Sequence, residues 1–320
     1  MNKSKTKLII IILVTGTITA FFISGNVFTS SSITSITNNN NNNNNNGSTE
    51  RAVILTFSDS SKSQYANARP ILNGYGFKGT FFITCSLIAP STKSPSMTWQ
   101  NVAAMKNEGH NIQSGAMTYA PLINLSKPRL DYEVQQSKQC LSNHGIDSAV
   151  FRSPFGRSWN NLTIINTIAK HYNFSVNGFS NLMYLRCDGW KEQQYVHQQQ
   201  QRDCRTYLQD GSLTFANRYS IREWNHNTLD IKYSHDYTKT FQAFVDEVKK
   251  QTPYNFNGKI TAIPIIAYHN IDNRKQPNST DVNLFADEMK YLHSNGFKVI
   301  TMADLAYDQK NNFITIRSGL

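Results

Sequence analysis

The chain has 320 residues, 39% of them hydrophobic and 17% charged, with a formal net charge of +11. That length fits one large domain or two small ones. A basic surface suits anionic glycan, membrane lipid or nucleic acid, but the chain carries no nucleic-acid motif and no dense Lys/Arg stripe, which argues against nucleic acid.

Lys3, Lys5 and Lys7 precede an uncharged apolar stretch, residues 8–23. This pattern predicts an export signal or short membrane anchor over residues 1–24, with the folded part outside the cell and tied to the membrane if the segment stays uncleaved. Residues 25–50 are rich in Ser, Thr and Asn, with an unbroken Asn run at 38–46, and read as a disordered tether. A single domain is expected over residues 51–320.

Ala52–Phe57 (Ala-Val-Ile-Leu-Thr-Phe) is short, apolar and rich in β-branched and aromatic residues, as in a fully buried parallel strand. Ser58-Asp59-Ser60 follows at its end, where Asp59 is a candidate ligand or acid-base group, or Asp59 or Ser60 simply caps the next helix. Helical spacing over 61–75 ends at Gly76, and 77–84 reads as a second strand. A helix at 98–108 stops at Gly109 and Asn111–Ser114 is a short strand. Residues 127–143 form a helix with Ser126 as N-cap, followed by a strand at 149–154, a helix at 159–172 and a strand at 174–177. Residues 183–210 look like an irregular Gln-rich insertion. A strand at 218–224, a helix at 237–250 and a strongly apolar strand at 260–269 come next. A helix at 283–294, a strand at 298–301 and a helix at 302–307 close the barrel. This α/β alternation predicts a parallel sheet, and the number of units favours a closed barrel.

Four Cys, Cys85, Cys140, Cys187 and Cys204, suggest two disulfides with three possible connectivities in an exported chain. Cys85–Cys140 and Cys187–Cys204 is the preferred pairing, because the second closes one local excursion. A four-Cys zinc site is the rival, but no CxxC is present. Sequons at Asn124, Asn161, Asn173 and Asn278 fit an exported surface.

Four predicted strand ends carry polar residues: Ser58-Asp59, Ser114 onward, 152–156, and His269-Asn270. In a closed barrel they converge on one mouth. The order of these motifs resembles the polysaccharide deacetylases, the NodB-homology domains of carbohydrate esterase family four, over residues 51–271. Thr56-Phe57-Ser58-Asp59-Ser60 falls where that family has Thr-Phe-Asp-Asp-Gly. Residues 109–119, from Gly-His-Asn-Ile to Tyr119, fall on Gly-His-Glu-Ile and the two His that follow. Phe151-Arg152-Ser153-Pro154-Phe155-Gly156 falls on Phe-Arg-Pro-Pro-Tyr-Gly, and 263–269 on a late apolar strand ending in His. The second strand, 77–84, matches Ala-Thr-Phe-Phe-Val. The resemblance implies a distorted (β/α) barrel of the NodB type and a metal-dependent hydrolase of the N-acetyl carbon–nitrogen bond in amino-sugar polymers.

The resemblance also implies roles. An Asp and two His hold the metal, a second Asp is the base, an Arg orients it and the late His is the acid. Here Arg152, His269 and the metal-ligand Asp59 are retained. Ser58 replaces the base, and Gly115 and Tyr119 replace the two His. One carboxylate does not fix a catalytic zinc, which takes three protein ligands. The first reading is therefore a catalytically disabled deacetylase fold without cofactor, binding a glycan of N-acetylated amino sugars. Phe155 and Tyr119 are candidate contacts, with Trp190, Trp224 and Tyr268 as further aromatics or core packing. The second is an active deacetylase with zinc or another divalent metal on relocated ligands, drawn from His226, His235 and Asp236 with Asp59 and His269. The third is a serine-type esterase using Ser58 and His269, although Ser58 lacks a GxSxG elbow. A purely adhesive surface protein remains besides.

Overall fold

Every residue of β1 (Ala52–Phe57) is buried, and its alternation divides the core in two. Val53, Leu55 and Phe57 pack outward against helices, with Phe244, Phe285 and Met289. Ala52 and Ile54 point inward among Phe82, Val150, Ile221 and Ile265. Period-two alternation buried on both faces is what a strand enclosed by helices requires. The computed structural model describes residues 50–158, 161–179, 182–185, 216–226, 236–310 and 313–317.

β2 (Thr80–Ile83), β3 (Asn111–Ser114), β4 (Val150–Arg152) and β5 (Phe174–Phe179) follow β1 around the barrel. A two-residue strand, β6 (Met183–Tyr184), leads out of it and pairs antiparallel with β8 (Ala262–Ile263). β7 (Ile221–Asn225) and β9 (Ile265–Tyr268) complete the circuit, and β9 pairs parallel with β1, so seven strands close as a parallel (β/α) barrel. Beyond the rim, β10 (Asn270–Ile271) pairs with β11 (Ser279–Thr280). β12 (Lys298–Ile300) pairs with the first half of β1, while β2 pairs with its last two residues. The late strand therefore fills the gap that strand tilt leaves between β1 and β2.

The differences from sequence expectation are local. The strand expected at 77–84 starts at Thr80, and the apolar run at 260–269 is broken at Pro264, which has no N–H to give the ladder. Ser126 precedes its helix without a side-chain capping bond, and the 127–143 helix widens into a π turn at Tyr132–Gln136. The 218–224 strand is preceded by a helical turn, Ala216–Tyr219, and starts at Ile221. The final helix expected at 302–307 is a single 3-10 turn, Met302–Asp304. Behind it, β13 (Leu305–Asp308) pairs antiparallel with β14 (Phe313–Ile316). Alternate residues of that hairpin, Leu305 and Ile314, find core partners that a short helix would not supply.

Cys85 and Cys140 are disulfide-bonded. The expected Cys187–Cys204 pair, Trp190, His235, the signal segment and the tether lie outside the described residues. No helix among the described residues is long and apolar enough to cross a membrane.

One buried acid gives the fold a pH dependence. Glu247, on the helix Tyr237–Lys249, has one carboxylate oxygen without a partner and the other on Lys250 at 2.6 Å. Burial outweighs Lys250 and pushes its pKa from 4.5 to about 7. The folded state keeps a proton that the unfolded chain releases, so stability falls as pH rises through that window, by up to about 3 kcal/mol. Glu247→Gln is expected to flatten this dependence and to be the more stable protein at pH 8, as read from denaturant midpoints at several pH values.

Candidate functional site

The inward register of β1 continues past its end. Thr56 faces the barrel interior and Ser58 follows it inward, its N–H still bonded to the Tyr268 carbonyl at 3.2 Å. The chain then turns through Asp59 and Ser60 in the left-handed region, at φ 75° and 53°. Neither residue caps the next helix, because the Ser60 hydroxyl accepts from the Thr84 N–H at 3.0 Å and ties the end of β1 to the end of β2. Ala116, Tyr119 and Phe155 also have positive φ, at 73°, 64° and 62°. Five such non-glycine residues on three loops at the ends of β1, β3 and β4 mark a mouth held in costly backbone conformations.

At that mouth Asp59 Oδ2 lies 2.6 Å from His269 Nδ1, and Ser58 Oγ lies 3.0 Å from the same nitrogen. A carboxylate only accepts, so Nδ1 carries the proton and donates to Asp59. Ser58 receives the weaker arm of the same N–H. This removes the basis of a Ser58–His269 nucleophile, because the nitrogen facing the hydroxyl is already protonated. The other ring nitrogen, Nε2, is buried and has no partner. Burial pulls the Asp59 pKa up, but the bond and charge of His269, with Tyr119 and Arg152, bring it down to about 2. Asp59 is thus a carboxylate at any physiological pH, with His269 as its direct partner.

Arg152, inward on β4, meets Glu223, inward on β7. Its Nε and one terminal nitrogen reach Glu223 Oε1 at 2.7 and 2.5 Å. Thr56 donates to the other oxygen at 3.0 Å. Both side chains are almost wholly buried, 4% and 2% exposed. Glu223 was not singled out in the sequence. Its signal was present all the same, as a charged residue at an inward position of the strand Ile-Arg-Glu-Trp-Asn.

The loop after β3 is shaped by Glu133, which is fully buried. Its carboxylate accepts from the N–H groups of Met117 and Thr118 at 3.1 and 2.7 Å and from the Thr118 hydroxyl. This clamp presents the Tyr119 phenol beside Asp59, where burial and the carboxylate push its pKa far above the ordinary value. Tyr119 packs on Phe155 with ring centroids 5.1 Å apart. Phe155 and Phe179, 44% and 43% exposed, form the rim, with Phe179 lying over Gly156 so closely that any Cβ there would meet its ring at 2.8 Å. Tyr268 is instead fully buried in the outer core, and Trp224 packs against that same core.

Residues 45–176 match the family model for polysaccharide deacetylase. Over these residues, about two-fifths of its length, the chain carries a polysaccharide deacetylase domain, in agreement with the resemblance its motifs show. A deacetylase homologue of Bacillus subtilis (strain 168), YxkH, is 27% identical over 109 residues, which is 34% of this chain and 38% of that protein. The chain thus matches less than two-fifths of the length of this curated relative. Among solved structures it is similar to a T48 deacetylase with substrate, at 18% identity and TM-score 0.49, covering 79% of this chain and 89% of that one. It is also similar to a family 4 carbohydrate esterase from Streptomyces lividans in complex with acetate, at 14% identity and TM-score 0.49, covering 85% and 100%.

Polysaccharide deacetylases of this type are typically dependent on a divalent metal, and the donor set here does not fit one. Zinc asks for three protein ligands. At the matching positions this chain offers only Asp59, whose Oδ2 is bonded to His269 and whose Oδ1 alone is left over. Gly115 has no side chain. A Cβ there would meet Thr84 Oγ1 at 3.0 Å and the Phe82 carbonyl at 3.2 Å. The Tyr119 phenol is held protonated, a poor ligand. Of the relocated candidates, His235 lies outside the described residues. Both nitrogens of the buried His226 are used, Nε2 on Glu288 at 2.6 Å and Nδ1 on Thr280 at 3.1 Å. Asp236 caps the helix Tyr237–Lys249. Among the described residues no group of three or more His, Cys, Asp or Glu could hold a metal ion.

Proposed function

We propose that this polysaccharide deacetylase-family chain is an exported protein that recognises glycans of N-acetylated amino sugars at the barrel mouth and does not hydrolyse them by the metal route. The observation that carries the reading is the Asp59–His269 pair at 2.6 Å. The one inherited metal ligand is bonded to the inherited acid, while Gly115 and Tyr119 stand where two His would complete the site. The exposed Phe155 and Phe179 offer ring faces to a sugar, and Arg152 is locked to Glu223 below them. Export is supported by the basic and apolar N-terminus and by the Cys85–Cys140 bridge, which suits an oxidising compartment.

The test measures zinc and cobalt content, acetate release from N-acetylglucosamine oligomers, and binding of the same oligomers. Wild-type protein is expected to hold no stoichiometric metal, release no acetate and bind saturably. Phe155→Ala is expected to weaken binding about three- to tenfold, the size of one aromatic contact. The variant Ser58→Asp/Gly115→His/Tyr119→His restores the three ligand types and the base. Adding Thr84→Ala, which clears the oxygen 3.0 Å from the new Cβ, is expected to raise its metal affinity further. Stoichiometric metal in the wild-type protein, lost in Asp59→Ala, would overturn the reading.

A further inference from the structure

The start of the helix Tyr237–Lys249, the chain after β9 and the start of the helix Val282–Ser294 line a cavity of about 210 Å³, walled in part by Thr240 and Ser279. By the barrel's topology they stand on the face where the strands end, the face of the mouth. The cavity walls carry unspent hydrogen-bonding capacity. The Thr240 hydroxyl belongs to a side chain 0% exposed and has no partner, while the Ser279 hydroxyl, on a side chain 3% exposed, faces the Asp272 carboxylate. Most buried hydroxyls are bonded, so an unbonded one beside a cavity points to a bond made with something that enters it.

The other walls narrow what that is. Asp281 uses Oδ1 to cap the helix Val282–Ser294, at 2.8 Å from the Asn283 N–H, which leaves Oδ2 for a ligand. Asn273 spends its carbonyl oxygen on the Val282 N–H at 3.0 Å, which leaves its amide hydrogens. Asp272 is already committed to Arg274 through both oxygens. Lys275 is exposed at the entrance, and Tyr237 and Leu284 supply apolar surface. A bare cation is disfavoured by Lys275 and by having one free carboxylate. A bare anion is disfavoured by Asp281. A mixture of donors and acceptors beside an aromatic ring suits a neutral polyol with a C–H face.

We infer that this cavity binds one pyranose ring, as an outer subsite for a glycan held at the mouth. The choice of ligand rests on the glycan reading above, whereas the site itself shares no residue with the mouth. Asp281 accepts from a sugar hydroxyl, Asn273 and Lys275 donate to others, and Thr240 turns about χ1 to complete the set. The ring's C–H face lies on Tyr237.

The test titrates the full chain with N-acetylglucosamine and with its tetramer, by ligand-observed NMR and calorimetry. Wild-type protein is expected to bind the monosaccharide saturably. Thr240→Val is expected to weaken it about tenfold without lowering the melting temperature, because the hydroxyl removed is unbonded in the free protein. Lys275→Gln, at an exposed position, is expected to weaken it severalfold with folding untouched. No saturable monosaccharide binding, or wild-type affinity in Thr240→Val, would overturn the inference. The tetramer separates the two sites. If only Phe155→Ala weakens it, the mouth reading stands and the outer subsite falls. If only the cavity variants weaken it, the outer subsite stands and the mouth reading falls.

Discussion

Glu223→Ala is expected to lower the stability of the chain by about 3–5 kcal/mol, the usual cost of stranding one member of a buried ion pair. Arg152 would remain almost fully buried in the barrel with two nitrogens unpaired. Its own charge is strongly favoured: burial opposes the cation, but Glu223 more than compensates and raises the pKa. Glu223→Gln keeps the shape and loses less. The double variant Arg152→Met/Glu223→Leu removes both charges and is expected to recover most or all of the loss, because the pair spends much of its mutual attraction on desolvation. Denaturant unfolding of Arg152→Met, Glu223→Leu and their double variant gives the coupling energy. Oligosaccharide binding by the double variant then separates two roles. Retained binding makes the pair a scaffold element, and lost binding with recovered stability makes it part of the mouth.

Opening the Cys85–Cys140 bridge is expected to cost about 4 kcal/mol, the loop-closure entropy of a 55-residue separation, or somewhat less if the reduced chain keeps structure. The bridge joins the turn Cys85–Leu87, at the exit of β2, to the helix Ser137–Asn143, which lies between β3 and β4. It therefore fixes the side of the barrel that carries the Tyr119 loop. Cys85→Ala/Cys140→Ala should match the wild-type protein measured in reductant. A further loss on adding reductant to that variant would mean that a second bridge contributes. Wild-type and variant midpoints that agree under oxidising conditions would show that the bridge adds no stability.

Much of the barrel was legible in the sequence. Ala52–Phe57, Asn111–Ser114 and the two long helices near residues 237–250 and 283–294 have strong local patterns, and their bounds came within a residue or two of the structure. The least legible part was the C-terminal end. Leu305 and Ile314 form a hairpin there because the barrel offers both a buried face, a condition that no window of sequence contains. Thr98 and Asn161 cap their helices through side chains that bond nearby N–H groups, whereas Ser126 has the right identity and makes no such bond. Identity at a helix start sets a preference, and the rotamer that realises it is decided by packing.

The same division runs through the site. The sequence by itself determined which donors exist: Asp59, Arg152 and His269 are present, and Ser58, Gly115 and Tyr119 stand where other side chains would make a metal centre. Side-chain chemistry is written in composition, so the shortage of ligands needed no coordinates. Only the tertiary structure decided who bonds to whom. Asp59 and His269 are 210 residues apart, and Arg152 and Glu223 are 71 apart. Closing the barrel through β1 and β9 brings the first pair together, and the inward register of β4 and β7 brings the second. A strand's alternation states that a residue points inward, but the partner it meets there is fixed by which strands become neighbours, and that follows from closure of the whole sheet.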